Sequence, residues 1–314
     1  MTQLIAPSPI TKTAVVPSNL LDTLQDIVHK VEIQSNFCIR HPDYKPFELP
    51  EDVVVRFQKM PEEMQHKYMS LQLRSFLYGI YYNGSMQNSL AVDTDTNNVP
   101  LDLENNSLLG IDIDFYEQLH QSNCGSGYFD PGWSVIREET DENLAVTKGN
   151  LRIHIERYKH LQETEKYAFL GDIVSIKLPK NRVQSGFYIA VGDAGIHHLD
   201  GIKKQAVTVR IYLNLSPEGA IKVMNSLTQR LNAIAIPFSF KVLYNPQDYK
   251  RHDSGVLYFD KRDYEVFKEV LQSIYQENQS YFKPEIPLFT MQIAPGLGLA
   301  EEPDQKFAEQ ESFG

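Results

Sequence analysis

Cationic side chains occupy unusual positions in the second half of the sequence. Arg210 lies in the middle of an alternating segment, on the face that it shares with Tyr212. Lys180 and Arg182 lie in a short basic loop that joins two predicted strands. An Arg guanidinium binds phosphate through two parallel hydrogen bonds, whereas a Lys ammonium binds it as a point charge. These residue types therefore indicate a candidate site for a small oxyanion.

A second group of such side chains follows Lys241, in the segment from Tyr244 to Asp253. Arg251 could bind the oxyanion while Asp253 orients its guanidinium. The alternative is ordinary turn chemistry, since Asn-Pro, Asp and Gly form loops in any protein. The sequence leaves both interpretations open.

Lys148 and His154 flank a predicted hairpin turn at Gly149-Asn150. An ideal two-residue turn pairs Lys148 with Leu151 and leaves His154 on the opposite face of the hairpin. A bulged turn would shift the register and bring Lys148 and His154 together. The sequence does not decide which turn occurs, so both arrangements remain possible.

Composition and charge narrow the class of protein. The chain has 314 residues, of which 42% are hydrophobic and 23% are charged, and its net charge is −11. This balance is typical of a globular protein and argues against a broad nucleic-acid or anionic-membrane surface. No run approaches the ~18 apolar residues that a membrane span needs. The two cysteines, Cys38 and Cys124, are too few for a disulfide framework, which favours a cytoplasmic location.

The periodicity of apolar residues predicts the order of the elements. Helical spacing predicts helices that begin at Ser18, near Glu51 and at Glu62, with an extended connector at 42–50. The second half changes to strand-like alternation, which is clearest at 207–215, and the order from there is strand, helix, strand, strand, helix. We therefore expect an α+β fold in which a helical N-terminal half packs on a mainly antiparallel, sheet-containing C-terminal half.

The same patterns suggest how the chain is divided. Residues 1–17 are expected to form a flexible arm, 18–125 a helical region and 126–290 an antiparallel α+β region. Residues 291–314 are expected to form a polar tail. The span 18–290 is long enough for one compact unit with a shared core.

Several longer segments resemble the HopA effector family, which is named for a type III secretion effector of plant pathogens and also occurs in other bacteria. The resemblance covers roughly residues 18–314. It is carried by LQLRSFLYGIYYNGS (71–85), GYFDPGW (127–133), LAVTKGNLRIHIE (144–156), LPKNRVQSGFYIAVG (178–192), VTVRIYLNLSPEGA (207–220), FKVLYNPQDYKRHDSGVLYFDK (240–261) and APGLGLAEEPDQKFAEQESFG (294–314).

The resemblance implies two alternative functions. HopA-like proteins act in the maturation of lanthionine-type peptides, where they resemble the lyase partner of a companion kinase. This implies a protein that removes phosphate from a phosphorylated precursor peptide to give a dehydroamino acid. The alternative is a non-catalytic, effector-like module that binds a protein or peptide. A type III system would export the protein only if it is a true effector.

Phosphate elimination needs a base, an acid and several cationic donors, but no metal and no cofactor. The residues leave the base open between Lys148 and Lys180, and the acid open between His154 and Tyr188. The side chains expected to hold the phosphate are Arg182, Arg210, Lys241, Tyr244, Arg251 and Asp253. No nucleic-acid or membrane partner is expected.

Overall fold

The computed structural model describes residues 18–92, 107–108, 110–195 and 207–303, so the predicted arm at 1–17 lies outside the described residues. Within these ranges the helices are α1 (Ser18–Lys30), α2 (Glu51–Phe57), α3 (Glu62–Leu77), α4 (Gln87–Leu90), α5 (Ile113–Ser122), α6 (Arg157–His160), α7 (Pro217–Ala233) and α8 (Tyr264–Asn278). The strands are β1 (Glu32–Ser35), β2 (Cys38–His41), β3 (Tyr44–Glu48), β4 (Ser107–Leu108), β5 (Ile111–Asp112), β6 (Tyr128–Glu138), β7 (Asn143–Lys148), β8 (Leu151–Glu156), β9 (Ile173–Leu178), β10 (Asn181–Gln184), β11 (Phe187–Val191), β12 (Thr208–Leu213), β13 (Ser239–Leu243), β14 (Gly255–Asp260), β15 (Met291–Ala294) and β16 (Leu297–Glu301).

A seven-stranded antiparallel sheet carries the largest core. Its strand order is β10-β11-β13-β14-β12-β16-β15. Alternate residues of β12 point to one side, where Val209, Ile211 and Leu213 are buried in the same cluster as side chains of α5, α7 and α8. The alternation predicted for this strand is thereby confirmed, and the helices cover one face of the sheet.

Local sequence explains how the two long C-terminal helices begin and pack. The Ser216 hydroxyl accepts the Gly219 N–H at 3.1 Å and caps α7, and Pro217 occupies its first turn. On α8 the ring of Phe267 stacks on that of Phe259 from β14, with centroids 3.9 Å apart. Both rings are buried, so this contact fastens α8 to the sheet.

Smaller sheets have their own cores. The four-stranded sheet β8-β7-β6-β9 buries an apolar cluster around Trp133, and the three-stranded sheet β1-β2-β3 packs with α3 around Phe76. Strands β4 and β5 form a two-stranded pair.

The α+β class is confirmed, but the expected split into a helical half and a sheet half is wrong, because helices and strands are interspersed. The segment expected as an extended connector contains β3, which pairs with β2 on one side and makes an isolated bridge from Tyr44 to Ala91 on the other. An edge strand tolerates Pro46 because one side of it needs no ladder hydrogen bonds. Proline spacing therefore concealed a sheet in the first half.

The prediction of a polar tail from residue 291 onward is wrong for the residues up to Glu301. Met291–Ala294 and Leu297–Glu301 form a hairpin, and β16 pairs with the central strand β12. Gly296 makes the turn at φ +75°, where an added Cβ would lie 2.2 Å from the Lys283 carbonyl oxygen. Leu297 and Leu299 are buried in the core. The free energy gained by burying these side chains stabilises the hairpin, although the sequence after it is polar. Residues 304–314 lie outside the described ranges.

Replacing Phe267 by Ala tests the contact between α8 and the sheet. The substitution removes a fully buried ring, so the free energy of unfolding should fall by about 3–5 kcal/mol. Urea denaturation followed by circular dichroism measures this loss. Its neighbour Val266 is 43% exposed, and Val266→Ala should change stability by less than about 0.5 kcal/mol. Equal losses for the two variants would contradict the packing described.

Candidate functional site

The face of the seven-stranded sheet opposite α7 and α8 carries cationic and aromatic side chains. Arg210 on β12 pairs with Tyr258 on β14, and Lys241 on β13 pairs with Val256 of the same strand. Directly paired residues and every second residue along a strand share one face of a sheet. Arg210, Lys241 and Tyr258 therefore emerge together, on the side opposite α7 and α8.

Three cationic head groups meet at two aromatic rings. Arg210 Cζ lies 5.6 Å and Lys241 Nζ 5.3 Å from the centroid of the Tyr258 ring. Lys241 Nζ also lies 4.7 Å from the centroid of the Phe187 ring, which Arg251 Cζ approaches to 5.5 Å. We call Arg210, Lys241 and Arg251 the cation cluster. Such contacts stabilise cations that are partly removed from water.

Carboxylates neutralise the two arginines of the cluster. Asp253, which is buried, accepts Arg251 Nε at 2.5 Å and Nη2 at 2.7 Å in a bidentate pair. Arg210 Nη2 lies 2.5 Å from Glu302 Oε2, while Arg210 Nη1 is buried without a hydrogen-bond partner among the described residues. The arginines are thus fixed in place, and one buried guanidinium nitrogen keeps an unused hydrogen-bonding capacity.

Lys241 differs from both arginines. Its ammonium makes no hydrogen bond and no ion pair with any residue that the structure describes. Burial lowers the pKa of Lys241 below its usual 10.5, and the charges of Arg251 and Arg210 lower it further, although Asp253 acts in the opposite direction. Lys241 is therefore the group in the cluster best suited to bind an added anion or to act as a base.

Tyrosines from the first half of the chain border the cluster. Helix α3 continues into a π-helical turn, Tyr78–Tyr82, in which the Asn83 N–H donates to the Tyr78 carbonyl at 3.0 Å. The rings of Tyr78 and Tyr82 stack with centroids 4.7 Å apart. Burial and the neighbouring Tyr212 raise the pKa of Tyr82. Such turns occur frequently at functional sites.

Backbone hydrogen bonds hold this turn beside the cluster. The N–H of His252, between Arg251 and Asp253, donates to the Asn83 carbonyl at 2.8 Å, and the Leu288 N–H donates to the Tyr82 carbonyl at 3.1 Å. Burial, followed by the charge of Asp253, raises the pKa of Tyr78 to about 12. The Tyr78 phenol therefore stays protonated at neutral pH.

The structure places Lys148 and His154 on the four-stranded sheet, away from the cluster's sheet. Lys148 pairs with Leu151, so the ideal hairpin register forms and the two side chains lie on opposite faces. Lys148 Nζ is 3.0 Å from Asp130 Oδ2, and His154 Nδ1 is 2.7 Å from Glu139 Oε2. Each group has a local charged partner and does not face the other.

Lys180 and Tyr188 are also held elsewhere. Lys180 Nζ donates to the Asn123 carbonyl at 2.8 Å. Tyr188 is fully buried on the helix-covered face, where its hydroxyl accepts Asn123 Nδ2 at 3.0 Å. Neither of these side chains belongs to the cation cluster.

Arg182 and Tyr244 complete the predicted set. Arg182 lies in β10, because the segment expected as a basic loop pairs with β11, and its guanidinium donates to the Tyr128 hydroxyl. The Tyr244 hydroxyl accepts the Gly186 N–H at 2.8 Å within the main core. The predicted phosphate-binding residues that the structure brings together are Arg210, Lys241, Arg251 and Asp253.

Sequence reasoning placed Tyr212 on the face of Arg210 but missed Tyr78, Tyr82 and Tyr258. Tyr212 and Tyr258 alternate with core residues along their strands and lie on the same face of the sheet as Arg210. This alternation is the sequence pattern that could have identified Tyr258. Tyr78 and Tyr82 follow a predicted helix, and nothing local links them to a strand far along the chain. Their place at the site depends on tertiary contacts.

Among the residues that the structure describes, no three His, Cys, Asp or Glu side chains gather as metal ligands would. No helix within the described ranges has the length and apolarity needed to cross a membrane.

Fold and site together define an α+β protein whose antiparallel sheet is covered by helices on one face and carries a cation cluster on the other. Residues 178–314 match the family model of the HopA1 effector protein family. This span includes the whole cation cluster and Asp253, whereas Tyr78 and Tyr82 precede it.

Two solved structures are similar to parts of the chain. The effector protein from Pseudomonas syringae pv. tomato strain DC3000 is 18% identical over 60% of this chain and 62% of its own, with a TM-score of 0.34. The effector protein from Pseudomonas syringae pv. syringae strain 61 is 12% identical over 63% of this chain and 65% of its own, with a TM-score of 0.35. The matches span less than two thirds of each effector. The comparison with curated proteins found no match.

Replacing Asp253 by Ala tests the pairing that fixes Arg251. The change leaves a partly buried guanidinium without its counter-charge, so the free energy of unfolding should fall by about 3–5 kcal/mol. Chemical denaturation measures the loss. Glu156→Ala breaks the exposed pair with Lys159 and should cost about 0–1 kcal/mol. A loss for Asp253→Ala no larger than that of the control would contradict this pairing.

Replacing Lys241 by Met tests the desolvation of its ammonium. Because the pKa of Lys241 is lowered on folding, its protonated form opposes folding, and this penalty disappears as pH rises through the folded pKa to 10.5. The variant should be at least as stable as the wild type at neutral pH. Unfolding titrations at increasing pH should show this difference narrowing. Lys159→Met, at a lysine whose side chain is 68% exposed, should show no such trend, and a pH-independent difference for Lys241→Met would argue against the lowered pKa.

Proposed function

We propose that this protein is a lyase that eliminates phosphate from phosphoserine or phosphothreonine of a ribosomal peptide, leaving a dehydroamino acid. The observation that carries the proposal is the ammonium of Lys241, which lies between two aromatic rings and two arginines without a carboxylate partner among the described residues. A companion kinase would phosphorylate the peptide first. The HopA1 family domain includes all three cations.

The charge of the site suits a phosphate. Asp253 and Glu302 each neutralise one arginine, so the protonated cluster and its two carboxylates have a net charge of about +1 before ligand binds. A phosphate dianion would then contact Arg210 Nη1, whose hydrogen-bonding capacity is unused within the described structure. Cations placed before the reaction stabilise the negative charge that forms on the leaving phosphate.

Lys241 supplies the base in this proposal. Its neutral amine removes the Cα proton of the phosphorylated residue, the electron pair forms the Cα=Cβ bond, and the Cβ–O bond breaks to release phosphate. Burial of the side chain and the charges of the two arginines lower the pKa of Lys241, which favours the neutral amine that this step requires. Lys148 and Lys180, the alternatives from the sequence, are engaged by Asp130 and by the Asn123 carbonyl.

A non-catalytic binding module is the second candidate, and one feature favours it. Arg210 and Arg251 are already paired with carboxylates, as they would be in a cluster that mainly supports the fold or binds a phosphopeptide without changing it. The two candidates differ in whether the bound peptide loses phosphate.

Mass spectrometry of a synthetic phosphoserine or phosphothreonine peptide, incubated with the protein, tests the proposal. The wild type should convert the peptide to a product lighter by one phosphoric acid. Lys241→Met should lower the rate by about 10²-fold or more, because it removes the base. Lys241→Arg keeps the positive charge but cannot become neutral at working pH, so it should bind the peptide without converting it.

A control variant and a separate binding measurement distinguish the two candidate functions. Lys159→Met, at an exposed lysine on α6, should eliminate phosphate like the wild type. Calorimetry with the same peptide reports binding separately. Binding without loss of mass by the wild type would support the non-catalytic module, and absence of both binding and elimination would reject a phosphate site altogether.

A further inference from the structure

We infer that Tyr78 is the proton donor to the leaving phosphate oxygen. This inference rests on the proposed lyase function and adds a catalytic residue from the first half of the chain, outside the HopA1 family domain. The candidates for this role in the sequence, His154 and Tyr188, lie on another sheet and in the main core.

Main-chain contacts hold Tyr78 beside the cation cluster. The π-helical turn that carries it is hydrogen-bonded through Asn83 to His252, the residue between Arg251 and Asp253. Stacking of the Tyr78 ring on Tyr82 sets its direction, because Tyr82 is buried and its carbonyl is fixed by the Leu288 N–H. The phenol is therefore placed at the cluster by main-chain contacts.

Tyr78 differs from the other tyrosines of the site in the surroundings of its hydroxyl. Tyr82 and Tyr212 are buried and their hydroxyls neighbour each other, and the Tyr258 ring lies beneath Arg210 and Lys241. The Tyr78 hydroxyl has no hydrogen-bond partner among the described residues, and the side chain is only partly buried. Among these four tyrosines it is the one whose hydroxyl is free to meet a ligand.

The chemistry needs such a donor. When Lys241 has taken the Cα proton and the Cβ–O bond breaks, the phosphate leaves with the bonding electron pair. The Tyr78 O–H transfers its proton to that oxygen and becomes a phenolate beside Arg251. The proton held by Lys241 returns through solvent to the phenolate, so one Cα proton ends on the released phosphate and both side chains are regenerated.

The test compares two leaving groups on one peptide sequence. Sulfate is a tetrahedral oxyanion like phosphate but is a much weaker base, so elimination of a serine O-sulfate needs little help from an acid. Tyr78→Phe should slow elimination from the phosphoserine peptide by about 10²-fold. It should leave elimination from the O-sulfate peptide close to the wild-type rate. Tyr167→Phe, at a tyrosine that is 87% exposed, is the matched control and should affect neither substrate.

The outcomes separate this inference from the function on which it rests. Equal slowing of both peptides would mean that Tyr78 only supports the structure, and no slowing of either would also overturn its role as the acid. If the wild type leaves both peptides intact, the lyase function itself fails and the assignment fails with it. Selective loss on the phosphate peptide is the result that supports the inference.

Discussion

The interaction on which the site depends is the burial of cations against aromatic rings on one face of a sheet. Three positive groups close together repel one another, and removing them from water is costly. Asp253 and Glu302 offset this cost for the two arginines, and the Tyr258 and Phe187 rings offset part of it for Lys241. The compensation for Lys241 is incomplete, which is why its pKa falls and why this lysine is available for chemistry.

The sheet makes this arrangement possible because one of its faces packs against the helices and the other carries the cation cluster. On β12 the residues Val209 and Ile211 pack under the helices, while Arg210 between them points to the other side. The same phase in β14 presents Tyr258, and in β13 it presents Lys241. The hydrophobic core that stabilises the sheet therefore also fixes the spacing of the polar face, and the cluster needs no flexible loop to position its central lysine.

The first half of the chain contributes to the site through residues that are distant from the cations in sequence. The span 178–314, which matches the HopA1 effector family model, contains the cations, but the tyrosines of the π-helical turn precede it. Main-chain hydrogen bonds to His252 and Leu288 join the two parts. The same separation explains why motif reading located anion-binding residues more readily than their aromatic neighbours.

Sequence alone determined the α+β class, most of the elements and the alternation that puts Arg210 on the polar face of its strand, since these depend on local periodicity. It also singled out Lys241, Arg251 and Asp253 as partners for an anion. It could not place the strands in the first half or the hairpin that ends at Glu301, because an edge strand with proline and a polar chain end lack a clear pattern.

Only the tertiary structure shows which charged side chains already form an ion pair or a hydrogen bond with another residue. The sequence offers Lys148 and Lys180 as bases and His154 as an acid, but in the fold their partners are Asp130, the Asn123 carbonyl and Glu139 respectively. Whether a charge has such a partner depends on residues that are distant in sequence, as does the approach of Tyr78. Local periodicity determines the face of the sheet on which a residue lies. Only the packed fold determines which side chains contact it there.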